Sequence, residues 1–215
     1  IGHLGGLNFA NLGTCGHSLK LLDMAKNNQS AKARMGAIGE SLVVAKLMQQ
    51  GWDAFNANCT IKNYKSIDII CLNSDLSEDG DLRWKPKTAL VQVKTCNQKN
   101  IPIGFTMEQT QDIKYLEDNV KGPYVLIYQE EKDGVSKYRF FVISRKDFIK
   151  LAYELHHWYI HDWDREKPLV LSAPAGFPIK NLMGEDEKET SRHKAFHNPF
   201  KGITFEDKWE NIWKE

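Results

Sequence analysis

The sequence predicts an α/β protein with a mixed central sheet flanked by helices and a C-terminal extension after about residue 160. Three observations favour this class: an amphipathic helical pattern over residues 33–50, three short strand-like runs directly after it, and a second helix followed by two more strands. A length of 215 residues, 41% hydrophobic and 27% charged, is enough for a single domain with a sizeable core.

The first half of the chain is expected to form one helix and an antiparallel meander. In the segment 33–50, Ile38, Leu42 and Ala45 share a face, further apolar residues widen it, and Gly51 is a typical end of a helix. Three strand candidates follow: WDAFNANC from Trp52, SIDIICLN from Ser66 and TALVQVKT from Thr88, the last two separated by a polar segment.

The second half is expected to return to the sheet. After a loop over residues 96–105, Thr106 and Gln109 resemble a capping box that opens a helix over residues 107–120. Strands over 123–129 and 137–144 are joined through an Asp-Gly turn, and Ser144 precedes a helix over 145–160. Residues 162–199 are interpreted as a long loop, and a short Trp-bearing helix over 205–213 closes the sequence.

Three regions are expected: an N-terminal extension over 1–30, either flexible or left over from cloning, a core over 31–160, and an extension over 161–215 that packs on this core. A net charge of +1 argues against strong overall attraction to nucleic acid or membrane, so any nucleic-acid site must be a local patch. Four cysteines without a CxxC pair favour a reducing compartment. Because neither a signal peptide nor an apolar run of about 20 residues is present, we expect a cytoplasmic protein.

Four polar residues occur where the pattern predicts burial. Gln92 and Lys94 alternate with Val91 and Val93, and Asp68 lies between two isoleucines in the preceding strand. If the two strands pair as a hairpin, these three side chains converge. Glu40 lies on a small, apolar helix face, and because an unpaired buried charge costs several kcal/mol, it should have a cation or a metal as partner.

Each of these residues alone has an ordinary structural explanation. An Asp in a strand usually lies at an edge, a Gln can be a hydrogen-bonded core amide, a Lys can extend from a strand end, and Glu40 can lie at the helix surface. The order of helix Glu, strand Asp and strand Gln-x-Lys is harder to attribute to chance.

In this order the residues resemble the PD-(D/E)xK nuclease superfamily, which has the restriction-endonuclease-like fold. The resemblance covers about residues 33–145 and is nearest to Holliday-junction-resolvase-like members. It implies a divalent-metal-dependent nuclease that hydrolyses DNA, an endonuclease or an exonuclease. Mg²⁺ or Mn²⁺ would be held by Asp68, Gln92, Glu40 and the Val93 carbonyl, with Lys94 as catalytic neighbour.

Two positions depart from the superfamily signature. Ile67 replaces the Pro, which the strand does not need, and Gln92 replaces an acid, which removes one charge from the metal site. We expect Glu40 to compensate. The alternative is a nuclease-derived binding or scaffolding module that has lost turnover.

Weaker signals concern DNA contact. Gln111 and Tyr115 match the Gln-x-x-x-Tyr pattern of the exonuclease branch and should share one helix face, although a solvated polar pair is the default interpretation. Lys99, in the loop after Lys94, is a candidate phosphate contact or an ordinary loop residue. A homodimer would suit the cutting of two strands.

Two histidine pairs have spacing that could bind zinc, His157 with His161 and His193 with His197. Neither pair has a further ligand nearby in the sequence. The neighbouring Trp158, Tyr159 and Trp163 indicate instead a packing face or an interface.

Overall fold

The structure is a computed structural model that describes residues 15–59, 67–73 and 87–214, with the side chains of these ranges except 15–28 and 59. Its helices and strands follow in the order α1 (Cys15–Gln49), β1 (Asp53–Asn56), β2 (Ile69–Asn73), β3 (Lys87–Cys96), β4 (Asn100–Thr106), α2 (Ile113–Asn119), β5 (Tyr124–Lys132), β6 (Val135–Ile143), α3 (Arg145–His161), β7 (Pro174–Pro178) and α4 (Ile179–Leu182). Short 3-10 helices occupy Ala57–Cys59, Gln109–Gln111 and Trp209–Trp213.

The main sheet has five strands in the order β1-β2-β3-β5-β6. The first three form the expected antiparallel meander, β5 lies parallel to β3, and β6 returns antiparallel to β5. Helix α2 lies in the crossover from β3 to β5, since parallel neighbours need a long connection. The predicted mixed α/β sheet flanked by helices is therefore confirmed.

A hydrophobic core lies on each face of this sheet. One combines Val43 and Leu47 of α1 with Val91 and Val93 of β3 and with Trp209. The other contains α3, Leu116 of α2, the strands β4 and β7, and Leu126 of β5. Because side chains alternate between faces along a strand, β3 contributes to both cores, and its polar residues Gln92 and Lys94 are half-buried.

Helix α1 is longer than the sequence pattern indicates. It begins at Cys15 rather than near residue 33, so residues 15–30 of the expected N-terminal extension are helical. Gly51 ends the helix as expected, with a positive φ of 86° that suits glycine. Residues 1–14 of the extension, and residues 74–86 of the expected polar loop, lie outside the described residues.

Three expectations for the second half are wrong. Most of the loop over 96–105 is the strand β4, which pairs antiparallel with β7 from inside the expected long loop over 162–199. The helix over 107–120 is split into a 3-10 turn and the short α2, because Asp112 between them is extended (φ −110°, ψ 103°). The expected short Trp-bearing helix, by contrast, is present as a 3-10 helix over Trp209–Trp213.

Local turn and cap signals are confirmed. Asp133 and Gly134 both have positive φ, 54° and 74°, as a two-residue hairpin turn requires. The Ser144 side chain accepts from the Asp147 N–H and caps α3. Thr106 and Gln109 form the reciprocal bonds of a capping box, at 2.9 and 3.3 Å.

None of the helices in the described ranges combines the length and the apolarity that crossing a lipid bilayer demands.

Candidate functional site

Asp68 is fixed to the strand that carries Gln92 and Lys94. Its N–H donates to the Val91 carbonyl at 3.0 Å, which extends the β2–β3 pairing by one residue before β2 begins. Its Oδ2 accepts from the Val93 N–H at 2.7 Å. The carboxylate therefore lies against the backbone between Gln92 and Lys94, as the hairpin expectation required.

Gln92 and Lys94 lie opposite Tyr124 and Leu126 of β5 and are half-buried, whereas Val91 and Val93 are buried against α1. Lys94 is covered by β4: its Cε is 3.3 Å from the point where a Cβ on Gly104 would lie. Gly104 has a φ of 87°, so glycine suits both this backbone and this close approach.

The Val93 carbonyl points to the same side of β3 as the Val93 N–H, because both groups of one strand residue share a direction. That N–H is bonded to Asp68. The carbonyl thus lies on the Asp68 side of the strand.

Two asparagines connect Glu40 to Asp68. Glu40 Oε2 accepts from Asn56 Nδ2 at 2.5 Å, and Asn56 Oδ1 accepts from the Asn58 N–H at 2.7 Å. Asn58 Nδ2 in turn donates to Asp68 Oδ1 at 3.3 Å. The sequence reasoning missed both asparagines; the signal was the Asn-Ala-Asn run at the end of the first strand.

The charges of Glu40, Asp68 and Lys94 act on one another. The pKa of Glu40 is raised from its usual range, first by burial and also by the Asp68 carboxylate, against the lowering effects of the Asn56 bond and Lys94. The pKa of Tyr124 is likewise raised by burial and by Asp68. Two carboxylates thus share an environment that favours added positive charge.

The donor set fits a hard divalent cation. Asp68, Glu40, Gln92 and the Val93 carbonyl offer only oxygen ligands, which Mg²⁺ prefers. Among the side chains that the structure describes, no group of three or more His, Cys, Asp or Glu residues could hold a metal. The third ligand would have to be the neutral amide of Gln92.

A small polar cavity of about 150 Å³ adjoins Gln92. Gln109 Oε1 accepts from the Thr106 N–H at 2.9 Å, and Gln109 Nε2 donates to the Tyr115 hydroxyl at 2.9 Å. The Tyr115 ring packs edge-on against Phe105 at 6.4 Å. Because the Tyr115 oxygen already accepts a bond from Gln109, its own O–H is left to donate.

The expectation that Gln111 and Tyr115 share one helix face is wrong. Gln111 ends the 3-10 turn and α2 begins after Asp112, so the helical spacing does not run through both residues. The glutamine that contacts Tyr115 is Gln109. A role of Gln111 in DNA contact stays a prediction.

Lys99 lies apart from this site. It lines a cleft of about 590 Å³ together with Arg139, Lys180 and the ring of Tyr128. Glu130 and Glu185 also line this cleft, so its three basic side chains are accompanied by two acidic ones. Phosphate contact by Lys99 stays a prediction.

The histidine pairs take part in aromatic packing. The rings of His157 and His161 are 4.3 Å apart, and His193 stacks on Trp163 at 4.1 Å. Trp158 contacts both Trp163 and His193 and donates its Nε1–H to the Lys194 carbonyl at 3.0 Å. His197 instead lies 3.8 Å from Asp186.

The chain was compared with family models, with curated proteins and with solved structures, and none of the three comparisons gives a match.

Proposed function

We propose that the protein is a divalent-metal-dependent DNA nuclease with a restriction-endonuclease-like core. One observation carries the proposal: Asp68 accepts from the Val93 N–H at 2.7 Å and so lies between Gln92 and Lys94. The order α1, β1, β2, β3, β4, α2, β5, in which β4 leaves the main sheet, also supports it, as does the link from Glu40 to Asp68 through two asparagines.

Asp68, Gln92, Glu40 and the Val93 carbonyl would hold Mg²⁺ or Mn²⁺. Such an ion polarises a phosphoryl oxygen and lowers the pKa of a bound water. Lys94 supplies a positive charge beside the scissile phosphate, where it stabilises the charge that develops in the transition state. Gly104 of β4 lies against the Lys94 side chain, which is half-buried, so that its charge acts in a less polar environment than bulk water.

Substrate contact is assigned to Tyr115, Gln111 and Lys99. The Tyr115 hydroxyl lies beside Gln92 and is oriented by Gln109, which donates to its oxygen, so that its O–H can donate to a substrate. A phosphate oxygen or a base edge is the acceptor that DNA offers there. A cytoplasmic location suits Cys71 and Cys96, which are buried free thiols.

A specific observation favours the alternative of a binding or scaffolding module without turnover. Asn56 and Asn58 bond the Glu40 and Asp68 carboxylates, so both have protein partners without a cation. A neutral Gln92 also lowers the affinity of the site for a cation.

The test is cleavage of labelled single-stranded, duplex and branched DNA with Mg²⁺ or Mn²⁺. We expect the wild type to cut at least one substrate and both Lys94→Ala and Asp68→Ala to lose cutting at least 100-fold, as removal of one charge-stabilising group does. Lys146→Ala on α3, which removes an exposed lysine, is the matched control. Binding of DNA without cutting by the wild type supports the alternative.

A further inference from the structure

We propose that a basic cleft at the start of β3 binds the phosphate backbone of DNA beside the candidate site. The positive side chains that line this basic cleft are Lys87, Lys121, Arg145 and Lys214. The inference rests on the proposed function and deepens it, because it names residues that hold the substrate strand next to the point of cutting.

The basic cleft forms where β3 continues without its neighbour β5. Pairing with β5 begins only at Gln92, so residues 87–91 of β3 have no strand beside them on that side within the described part of the chain. Gly122, just before β5, closes one end: a Cβ on it would lie 1.9 Å from the Leu90 carbonyl oxygen. Residues 212–214 also line the opening, which measures about 400 Å³, a size typical of ligand sites.

The four positive side chains of the basic cleft lack a carboxylate partner. Among the described residues, no carboxylate oxygen lies within 4.0 Å of any of them. They donate instead to uncharged oxygens: Lys87 to the Trp213 carbonyl, Lys121 to the Asp118 carbonyl, Arg145 to the Glu117 and Val120 carbonyls, and Lys214 to the Asn211 side chain. An uncharged oxygen satisfies a donor without neutralising its charge, so the basic cleft keeps a potential that attracts anions.

The charge of the basic cleft differs from that of the rest of the chain. Its described lining carries four positive charges and no negative one, whereas the full chain has +1, so all other residues together carry −3. The larger cleft around Lys99 has acidic side chains among its basic ones. A polyanion such as DNA is therefore attracted to the basic cleft rather than to the surface as a whole.

Three segments place the basic cleft next to the polar cavity beside Gln92. On β3, Leu90 lines the basic cleft two residues before Gln92 and on the same face. Pro123, which also lines the basic cleft, accepts from the Gln92 N–H at 3.0 Å through its carbonyl. At the end of α2, Asn119 lines the cavity and Lys121 lines the basic cleft. The two openings are thus neighbours along one edge of the sheet.

The spacing along β3 suits a DNA strand. At about 3.3 Å per residue, Leu90 lies roughly 7 Å and Lys87 roughly 17 Å from Gln92. Nucleotides follow one another at about 3.4 Å along the axis of a duplex, so the basic cleft lies about two to five nucleotides from a phosphate bound at Gln92. Because four cations exceed what one phosphate needs, we assign the basic cleft to a strand rather than to a free phosphate ion.

The experiment measures binding of the full chain to a labelled duplex by fluorescence anisotropy, in EDTA so that no cleavage occurs, over a range of salt concentrations. The test variant is Lys121→Gln with Lys214→Gln, two exposed lysines whose bonds reach only three residues along the chain. Each lost phosphate contact lowers the slope of log K against log salt by about 0.9, so we expect the slope to fall by about 2.

Lys132→Gln with Lys137→Gln is the matched control. Both lysines are exposed at the turn end of the β5–β6 hairpin, whereas the basic cleft adjoins the opposite end, where Tyr124 pairs with Ile143. Lys132 lies eight residues from Tyr124, roughly 26 Å along β5. The control makes the same change in net charge and should keep the slope of the wild type. Melting temperatures close to that of the wild type show that both variants are folded.

Three results in the binding assay would overturn the basic cleft. These are no DNA binding by the wild type, an unchanged slope in the Lys121 and Lys214 variant, and an equal loss in the control, which would indicate net charge alone. Melting in inorganic phosphate against chloride at equal ionic strength separates the two sources of phosphate. A rise in melting temperature that only the test variant loses, with an unchanged slope for DNA, would assign the basic cleft to a small phosphate ligand instead.

Cleavage assays examine the proposed function separately. A lowered slope without any metal-dependent cutting keeps the basic cleft and rejects the nuclease. Cutting that depends on Lys94, with an unchanged slope in the test variant, rejects the basic cleft alone.

Discussion

Gly39 of α1 lies directly against Thr95 of β3. A Cβ on Gly39 would lie 1.8 Å from Thr95 Oγ1, 3.0 Å from Thr95 Cβ and 3.2 Å from Ile127 Cδ1. The helix can approach the sheet this closely only without a side chain at position 39. Because Glu40 follows Gly39 in α1, this contact also fixes the distance between Glu40 and the end of β3.

Gly39→Ala should therefore destabilise the fold, by about 1–3 kcal/mol as overpacking does, because the branched Thr95 has to move together with the helix. Gly36→Ala, three residues earlier, meets nothing within 4 Å and should stabilise by roughly 0.5–1 kcal/mol through helix propensity alone. Urea unfolding of both variants measures the difference. Equal effects at the two positions would argue against the close packing of α1 on β3.

Asp68 has two separable roles, which Asp68→Ala and Asp68→Asn distinguish. The alanine variant leaves the Val93 N–H without its acceptor and should lose about 1–3 kcal/mol of stability, whereas the asparagine variant keeps an acceptor oxygen there. Both should lose the rise in melting temperature that Mg²⁺ or Mn²⁺ gives the wild type, because the charge is gone. A metal-induced rise that survives in both variants would show that the cation binds elsewhere.

Gln92→Glu tests whether the neutral amide weakens the metal site. A third carboxylate should lower the metal concentration for half-maximal stabilisation by about tenfold, or ~1.4 kcal/mol. Without metal the variant should be less stable than the wild type, since Asp68 and Glu40 already repel each other. Gln98→Glu, on the exposed loop after β3, adds the same charge as a control. Equal metal affinity in wild type and Gln92→Glu would remove Gln92 from the proposed ligands.

Tyr115→Phe removes the hydroxyl that Gln109 orients and keeps the ring against Phe105. We expect kcat/KM for DNA to fall about tenfold, because the loss of one hydrogen bond of ~1.4 kcal/mol to the substrate corresponds to that factor. The melting temperature should stay close to that of the wild type. Tyr138→Phe, a half-buried tyrosine of β6, serves as the comparison. If both variants retain full activity, the cavity beside Gln92 does not contact substrate.

His156 links α3 to β7 inside the core. It is 2% exposed, its Nδ1 lies 2.7 Å from the Ala152 carbonyl oxygen, and its Nε2 lies 3.1 Å from that of Gly176. Burial lowers the pKa of His156 from 6.5, against the raising effect of the two carbonyls. Below pH 6.5 the unfolded chain therefore takes up the proton first, and the unfolding free energy should fall as pH decreases, by at most about 1.4 kcal/mol per pH unit.

Urea unfolding between about pH 5 and 7 checks this prediction. His156→Gln should give a flatter pH dependence in that range, and His157→Gln, at the exposed neighbour, should keep the slope of the wild type. If the unfolding free energy has the same pH dependence in the wild type and both variants, a group other than His156 causes it.

Local signals in the sequence predicted the elements near the site well. The alternation in β3 and the single Asp before β2 were enough to predict that Asp68, Gln92 and Lys94 lie on one pair of strands. Neighbouring antiparallel strands need only a local connection, which a sequence pattern can indicate. The Asp-Gly turn and the Ser144 cap depend on side-chain and backbone chemistry within a few residues, which a sequence displays directly.

Long-range pairing could not be predicted in this way. The segment of β4 was predicted to be a loop because Pro102 and Gly104 weaken its strand pattern. Its partner β7 lies more than 60 residues later, in a region rich in proline and glycine. The contact of Gln109 with Tyr115 was missed because a break at Asp112 changes the helical spacing that the sequence implied. The asparagine link from Glu40 to Asp68 could not be predicted either, because it depends on the relative positions of α1, the end of β1 and the residue before β2.

The pairing of β4 with β7 also implies a sequence in which the parts of the site fold. β3 and its antiparallel neighbour form from close segments, but the strand that lies against Lys94 is held by Pro174–Pro178, far along the chain. Contacts of such large sequence separation form late, because loop closure must precede them. In a chain emerging from the ribosome, the Asp68 hairpin can thus form before β7 exists, and β4 is fixed next to Lys94 only after Pro174–Pro178 have been synthesised.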